Sequence, residues 1–331
     1  MMKFEAMAPG SGVLLYVTPD QVERNVHAPI DQLLARKAAW RWLHLDHNRP
    51  AARDWLRTQR DLPEDIADAM LADRTRPRCS VWQSGLMFIG RGVNLNDSAL
   101  PEDMVSIRAW LTADRLVTVV LRRVRAAEDV AKSLEAHEPR VSAHSSGELL
   151  LMLLENLIER MTPIVYESGE QLDDVLEQIV EESPTADRQE LTKLRLRIMT
   201  LRRYALPLRD AINQLRDAPA ELMPTDLSQA IANLSDRTTR LYEELEALNA
   251  RAEVARGEMS SEEAETLNRR LYALAIITAI FLPLSFLTGL LGMNVAGIPF
   301  TSQPWAFWVW GIVFAGVLCG QLVALRRLGW L

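Results

Sequence analysis

The chain has 331 residues, 48% of them hydrophobic and 24% charged, with a formal net charge of −7. That balance argues against a nucleic-acid partner and for cations. The two cysteines, Cys79 and Cys319, lie far apart and outside any CxxC spacing, which argues against both a disulfide framework and a thiolate metal site.

The apolar residues are unevenly distributed. Residues 271–325 contain no Asp, Glu, Lys or Arg, whereas the preceding 270 are dense in charge. This contrast predicts a soluble domain followed by a membrane anchor. The opening Met1-Met2-Lys3-Phe4-Glu5 is charged, and the apolar run at 13–17 is too short for a signal core, so the large N-terminal part is expected in the cytoplasm.

Taken in chain order, residues 1–144 read as α/β. Strand-like runs fall at 13–17, 40–45, 79–82, 86–90, 105–111 and 116–121, with helical stretches at 53–60 and 63–71. The expectation is a small mixed sheet with helices packed on it, the runs at 86–92 and 105–121 pairing as neighbours. Helical character starts at Ser145-Ser146, where a hydroxyl N-cap precedes Glu148. Three long helices are predicted, over 145–182, 185–217 and 225–291, so that residues 145–270 form a long-helix region and stalk. The last helix is about 100 Å long at 1.5 Å per residue.

Glu167, Glu170, Asp173, Asp174, Glu177, Glu181 and Glu182 accumulate in a stretch without Lys or Arg. They read either as a solvated helix face or as a surface that concentrates cations. Among the histidines, His47 beside Asp46 is the most ligand-like, although an adjacent pair of this kind is more often structural.

Residues 271–291 and 305–325 each supply the roughly 20 apolar residues needed to cross a bilayer. Arg269-Arg270 precedes the first and Arg326-Arg327 follows the second. The positive-inside tendency therefore places both termini in the cytoplasm and residues 292–304 on the far side. Trp305, Trp308 and Trp310 mark the outer interface.

Two helices cannot enclose a path for an ion, so any pore requires several copies. Steps of three and four along the first span give Asn268, Leu271, Ala275, Thr278, Leu282, Ser285 and Gly289. This mix of small, polar and apolar groups has two readings. It can line a pore with hydrated rings and dewetting constrictions at Leu271 and Leu282, or its hydroxyls can simply bond back to the i−4 carbonyls. Pro283 implies a kink. Gly311, Ala315, Gly316, Cys319 and Gly320 give the second span a small-residue face suited to packing outside the first.

At Gly289-Leu290-Leu291-Gly292-Met293-Asn294 the sequence resembles the CorA metal-ion transporter family, whose signature is Gly-Met-Asn directly after the first of two C-terminal spans. The stretch Phe281-Leu282-Pro283-Leu284-Ser285-Phe286-Leu287-Thr288-Gly289 is similar to that family's pore helix. Asn294-Val295-Ala296-Gly297-Ile298-Pro299 and the tail Arg326-Arg327-Leu328-Gly329-Trp330-Leu331 resemble the ZntB-type zinc-transport branch. Met293 departs from that branch, which often carries Val there, and the loop lacks the acidic residue of some magnesium-type members.

The resemblance implies a homopentamer in the inner membrane, with an α/β cytoplasmic funnel domain, a long stalk helix and two C-terminal transmembrane helices. It implies that Gly292, Met293 and Asn294 form an outer ring meeting hydrated cations, that the first span lines the pore, and that no catalytic residue or resident cofactor is needed. Zinc is the expected cargo, with cadmium, nickel and cobalt also passing and proton coupling implied. A passive magnesium or cobalt channel gated by cytoplasmic metal is the alternative. A membrane-anchored coiled-coil sensor without flux is a second.

Overall fold

The computed structural model describes residues 11–83, 85–136, 143–180, 188–293 and 303–330. It divides into two units, residues 1–256 and 257–331.

The first unit is built on a seven-stranded sheet ordered β2-β1-β3-β7-β6-β5-β4. Its strands are β1 (Val13–Thr18), β2 (Gln21–Val26), β3 (Arg41–Asp46), β4 (Arg78–Trp82), β5 (Gly85–Gly92), β6 (Val105–Thr112) and β7 (Arg115–Val120). Every pairing is antiparallel except β3 with β7. The expected neighbours pair as β5–β6 and β6–β7, joined in the second case by the short turn at 113–114.

Alternation along the strands gives the sheet two buried faces. On one, Tyr16, Leu43, Leu45, Met87, Ile89, Trp110, Val117 and Val119 pack with three helices. These are α1 (Ile30–Leu34), α2 (Pro50–Thr58) and α3 (Glu64–Leu71), which contribute Leu33, Leu56, Ile66 and Met70. Pro50 opens α2 at a position where its missing N–H costs nothing. The other face meets α4 (Arg125–Glu135), α5 (Ser146–Val180) and α6 (Arg188–Gln214). There Gly90 and Gly92 lie directly under Leu157 of α5, and a Cβ on Gly92 would collide with that side chain.

The start of α5 is specified locally. Ser145 Oγ accepts the Glu148 amide at 3.1 Å, and Glu148 Oε2 accepts the His144 amide at 2.7 Å. This is a capping arrangement displaced by one residue from the usual box. Single 3-10 turns at Leu215–Asp217 and Thr225–Leu227 connect α6 to α7 (Ser228–Leu291). Within the first unit, α7 is joined to its neighbours by ion pairs of Glu246 with Arg202, Glu253 with Arg195, and Arg251 with Asp173.

In the second unit α7 continues to Leu291, and α8 (Ala306–Arg327) follows. Both are long and apolar enough to cross a membrane, α8 at 22 residues being about 33 Å long.

Candidate functional site

The two faces of α7 in the second unit are chemically distinct. Ile276, Ala279, Ile280, Leu284, Leu287 and Leu291 are half-buried and recur at helical spacing. On α8 the half-buried or buried set is Ala306, Trp310, Phe314, Val317, Leu318, Gln321 and Leu325. Gln321 Nε2 donates to the Ala279 carbonyl at 3.5 Å, which fixes these as the facing sides.

At 3.6 residues per turn, the stripe Asn268, Leu271, Ala275, Thr278, Leu282, Ser285 and Gly289 then lies about 180° away from Ile280. All seven are exposed. The residues singled out from spacing thus form one continuous face, turned away from α8. Thr278 Oγ1 donates to the Leu274 carbonyl at 2.8 Å, and Thr288 Oγ1 to the Ser285 carbonyl at 3.0 Å. Their protons are taken by the backbone, but their lone pairs remain available to an approaching hydration shell. Leu271, Ala275, Thr278 and Leu282 also border a shallow apolar groove that Trp330 shares with Leu274, Ala279 and Pro283.

The small residues of α8 lie outside its contact with α7 of the same chain. Gly311, Ala315, Gly316, Cys319 and Gly320 are exposed, and a Cβ on any of the three glycines would meet nothing within 4 Å. The contact with α7 is made by large side chains, leaving the small-residue face of α8 uncovered. Gln321, a lone carboxamide in an apolar helix, was not singled out by sequence reading. Its signal was that isolation.

α7 ends in a tight turn. The Gly292 amide donates to the Thr288 carbonyl at 2.9 Å and the Met293 amide to that of Leu290 at 3.4 Å, so two end carbonyls of the helix are tied back. Gly292 does not use the left-handed region. A Cβ there would meet only the Thr288 and Gly289 carbonyl oxygens, at 3.3 and 3.5 Å, the first of which is the ordinary separation in a helical turn. Met293 is 48% exposed. Asn294 lies outside the described residues, as do Glu181 and Glu182.

In the first unit, Glu167, Glu170, Asp173, Asp174 and Glu177 all lie on the exposed side of α5, while Val165, Leu172 and Val175 are buried. Asp173 is paired with Arg251. Among the described residues no group of three or more His, Cys, Asp or Glu is placed to hold a metal.

Asp46 and His47 serve the fold. His47 Nε2 meets the Leu71 carbonyl at 2.9 Å, and Asp46 Oδ1 accepts the Asn48 backbone and side-chain N–H groups, both at 2.9 Å. His44 is buried, and desolvation holds its imidazole down to about 4. Burial pushes the Cys79 thiol up to about 12, which leaves it inert.

This architecture joins a large α/β unit to two C-terminal helices long and apolar enough to cross a membrane. A sequence profile described as "CorA-like Mg2+ transporter protein" matches residues 37–326. The divalent cation transporter CmaX of Pseudomonas aeruginosa is 38% identical over 314 residues, covering 94% of this chain and 92% of that protein. The zinc transport protein ZntB of Yersinia enterocolitica is 30% identical over 290 residues, 88% of each. Among solved structures, full-length CmaX superposes with a TM-score of 0.79 at 35% identity, covering 98% of this chain and all of that one. The CorA magnesium transporter of Methanocaldococcus jannaschii superposes at 0.75 with 16% identity, covering 96% and 98%, and shows the shared fold.

The chain belongs to the CorA-like transporter family. It is a divalent-cation transporter of the CorA/ZntB group, not an enzyme.

Proposed function

We propose that this protein carries divalent metal ions, zinc among them, across the inner membrane through a homopentameric pore lined by α7, with both termini in the cytoplasm. The observation that carries the proposal is the stripe from Asn268 to Gly289. It is one exposed, uncharged face of a membrane helix, turned away from α8, that helix's neighbour in the second unit. Several copies facing a common axis would bury it around a path. Leu271 and Leu282 would then form hydrophobic constrictions between wetter levels at Ala275, Thr278 and Ser285.

Neutral oxygens at Gly292, Met293 and Asn294 suit a cation that keeps much of its water. They attract through dipoles without trapping the ion. Zinc stripped of water would favour imidazole or thiolate, and residues 271–325 contain no histidine and one cysteine, Cys319. A hydrated passage would leave selection loose among zinc, cadmium, nickel, cobalt and magnesium. The exposed acidic side of α5 would raise the local cation concentration on the cytoplasmic side. The same residues 271–325 offer no acidic, basic or histidine side chain for a proton relay. Any coupling to protons would therefore act through hydrated protons in the pore or through the cytoplasmic domain.

Magnesium as the principal cargo is the second reading, favoured by the intact Gly292-Met293-Asn294 triplet. Flux of zinc, magnesium, cobalt, nickel and cadmium into proteoliposomes, with and without a pH gradient, tests both. Zinc uptake that exceeds magnesium uptake and is lost in Asn294→Ala supports the first. Magnesium flux alone supports the second. No flux of any metal leaves a membrane-anchored sensor.

A further inference from the structure

Pro283 has no backbone N–H, and in an α-helix that N–H would bond to the carbonyl four residues earlier, at Ala279. The carbonyl that loses its usual i+4 donor in α7 is the one that Gln321 Nε2 approaches from α8, at 3.5 Å. In hydrocarbon no water is at hand to replace the missing amide, so a carbonyl freed by proline calls for a donor from a neighbouring element. Gln321 supplies the one side-chain amide on the contact face of α8, whose other members are apolar. Its Oε1 is buried and has no hydrogen-bond partner among the described residues. The Nε2-first orientation is also the one chemistry selects, because the flipped amide would set oxygen against oxygen. Ala279, with only a methyl side chain, leaves room for the approach.

We propose that Gln321 is a positioning residue for transport: it stands in for the amide missing at Pro283 and so couples the placement of α8 to the course of α7 at the proline. The proposal rests on the reading of α7 as the pore helix. Leu282 adjoins the proline, and Thr278 lies one turn below it on the exposed stripe. A change in the course of α7 at the proline would therefore alter the width of the path at these levels. Gln321 touches no ion, and its effect falls on the rate of passage, leaving the affinity of the outer turn unchanged.

The test is a double-mutant cycle of Gln321→Leu with Pro283→Ala in the full-length protein. Maximal magnesium and zinc flux, half-saturating concentration and melting temperature in detergent are read for each variant. The Pro283→Ala substitution restores the backbone amide, so Gln321 becomes redundant in that background. The expected result is that Gln321→Leu changes maximal flux by about five-fold or more when Pro283 is present and by less than about two-fold in the Pro283→Ala background. Half-saturation should be unchanged throughout. The melting temperature should fall more on Gln321→Leu with Pro283 in place than in the Pro283→Ala protein. Equal effects in both backgrounds, or none in either, overturn the proposal. If Pro283→Ala is itself inactive, the melting cycle decides by the same criterion. That cycle needs no flux, so it fails or holds independently of the pore reading, which Asn294→Ala tests separately.

Discussion

Ile280 and Leu282 stand two residues apart on α7 and face opposite ways: Ile280 is half-buried toward α8, whereas Leu282 is 67% exposed. In water an exposed leucine at that level, continued by Phe281 at 62% and Phe286 at 68%, would be an aggregation liability. In a bilayer the phenylalanines can face lipid. The stripe that includes Thr278 and Ser285 is poorly suited to lipid and well suited to a shared axis between copies. The two sides of α7 thus differ in residue chemistry at 3.6-residue spacing, as the proposed pore reading requires.

The first prediction concerns acid stability of the α/β unit. His44 is held neutral by burial, with its pKa lowered from 6.5 to about 4. Unfolding releases a histidine that takes up a proton between those values. Its contribution to stability is therefore complete above about pH 6.5 and is lost as pH falls toward 4, by roughly 3 kcal/mol. Urea titrations at about pH 7 and about pH 4.5, on either side of the unperturbed histidine value, should show this decline. His44→Leu should flatten it, whatever it does to the stability at neutral pH.

Thr118 is the hub beside that histidine. Its Oγ1 accepts the Trp42 indole N–H at 2.8 Å and is hydrogen-bonded to His44 Nδ1 at 2.7 Å. Thr118→Val keeps the shape and removes these bonds, together with the longer one from Thr118 Oγ1 to the Leu43 carbonyl at 3.4 Å, from a buried site. The expected cost is about 2 kcal/mol, read as a lower midpoint of chemical denaturation.

Gly147 stands in the first turn of α5, where any Cβ would collide with the Leu222 carbonyl and lie 3.1 Å from Met223 Sδ. Backbone cannot yield as a flexible side chain can. Gly147→Ala should therefore cost about 2 kcal/mol and shift the α6–α7 connection. A drop in melting temperature with unchanged half-saturation for metal flux would match this structural role.

The turn after α7 gives a further case. A Cβ on Gly292 sits 3.3 Å from the Thr288 carbonyl, the ordinary helical separation, so Gly292→Ala is accommodated, whereas Gly292→Pro removes the amide that donates to that carbonyl and disrupts the turn that precedes Asn294. In Gly292→Pro, flux of both zinc and magnesium should fall by about ten-fold or more with little change in melting temperature. Equal loss of both would indicate disturbed turn geometry, not altered metal preference.

Much of this architecture was legible from periodicity. The strand runs at 105–111 and 116–121 and the N-cap at Ser145 needed only alternation and a hydroxyl before a carboxylate. By contrast β2, with the sequence Gln-Val-Glu-Arg-Asn-Val, reads as polar, because an edge strand carries its charges outward and buries little. The helix α4 places Ala126, Ala127, Val130 and Ala131 on its buried face, a pattern too small in side-chain volume to stand out. On α8 the small residues suggested the contact with α7, but Trp310, Phe314 and Leu318 lie on that side. Small size alone does not say which neighbour a face meets. Gln321 became meaningful only when its partner four residues before Pro283 was in view.

The central claim is that ions pass along the exposed stripe of α7, and a cysteine scan tests it most directly. In a Cys319→Ser background, with Cys79 buried and inert, single cysteines at Ala275, Thr278 and Leu282 are compared with cysteines at Ile276, Ile280 and Leu284. Each protein is reconstituted, and magnesium flux is measured before and after a water-soluble thiol reagent. The account predicts that modification blocks flux in the first set and spares it in the second. Block confined to the second set, or spread evenly over both, would contradict it.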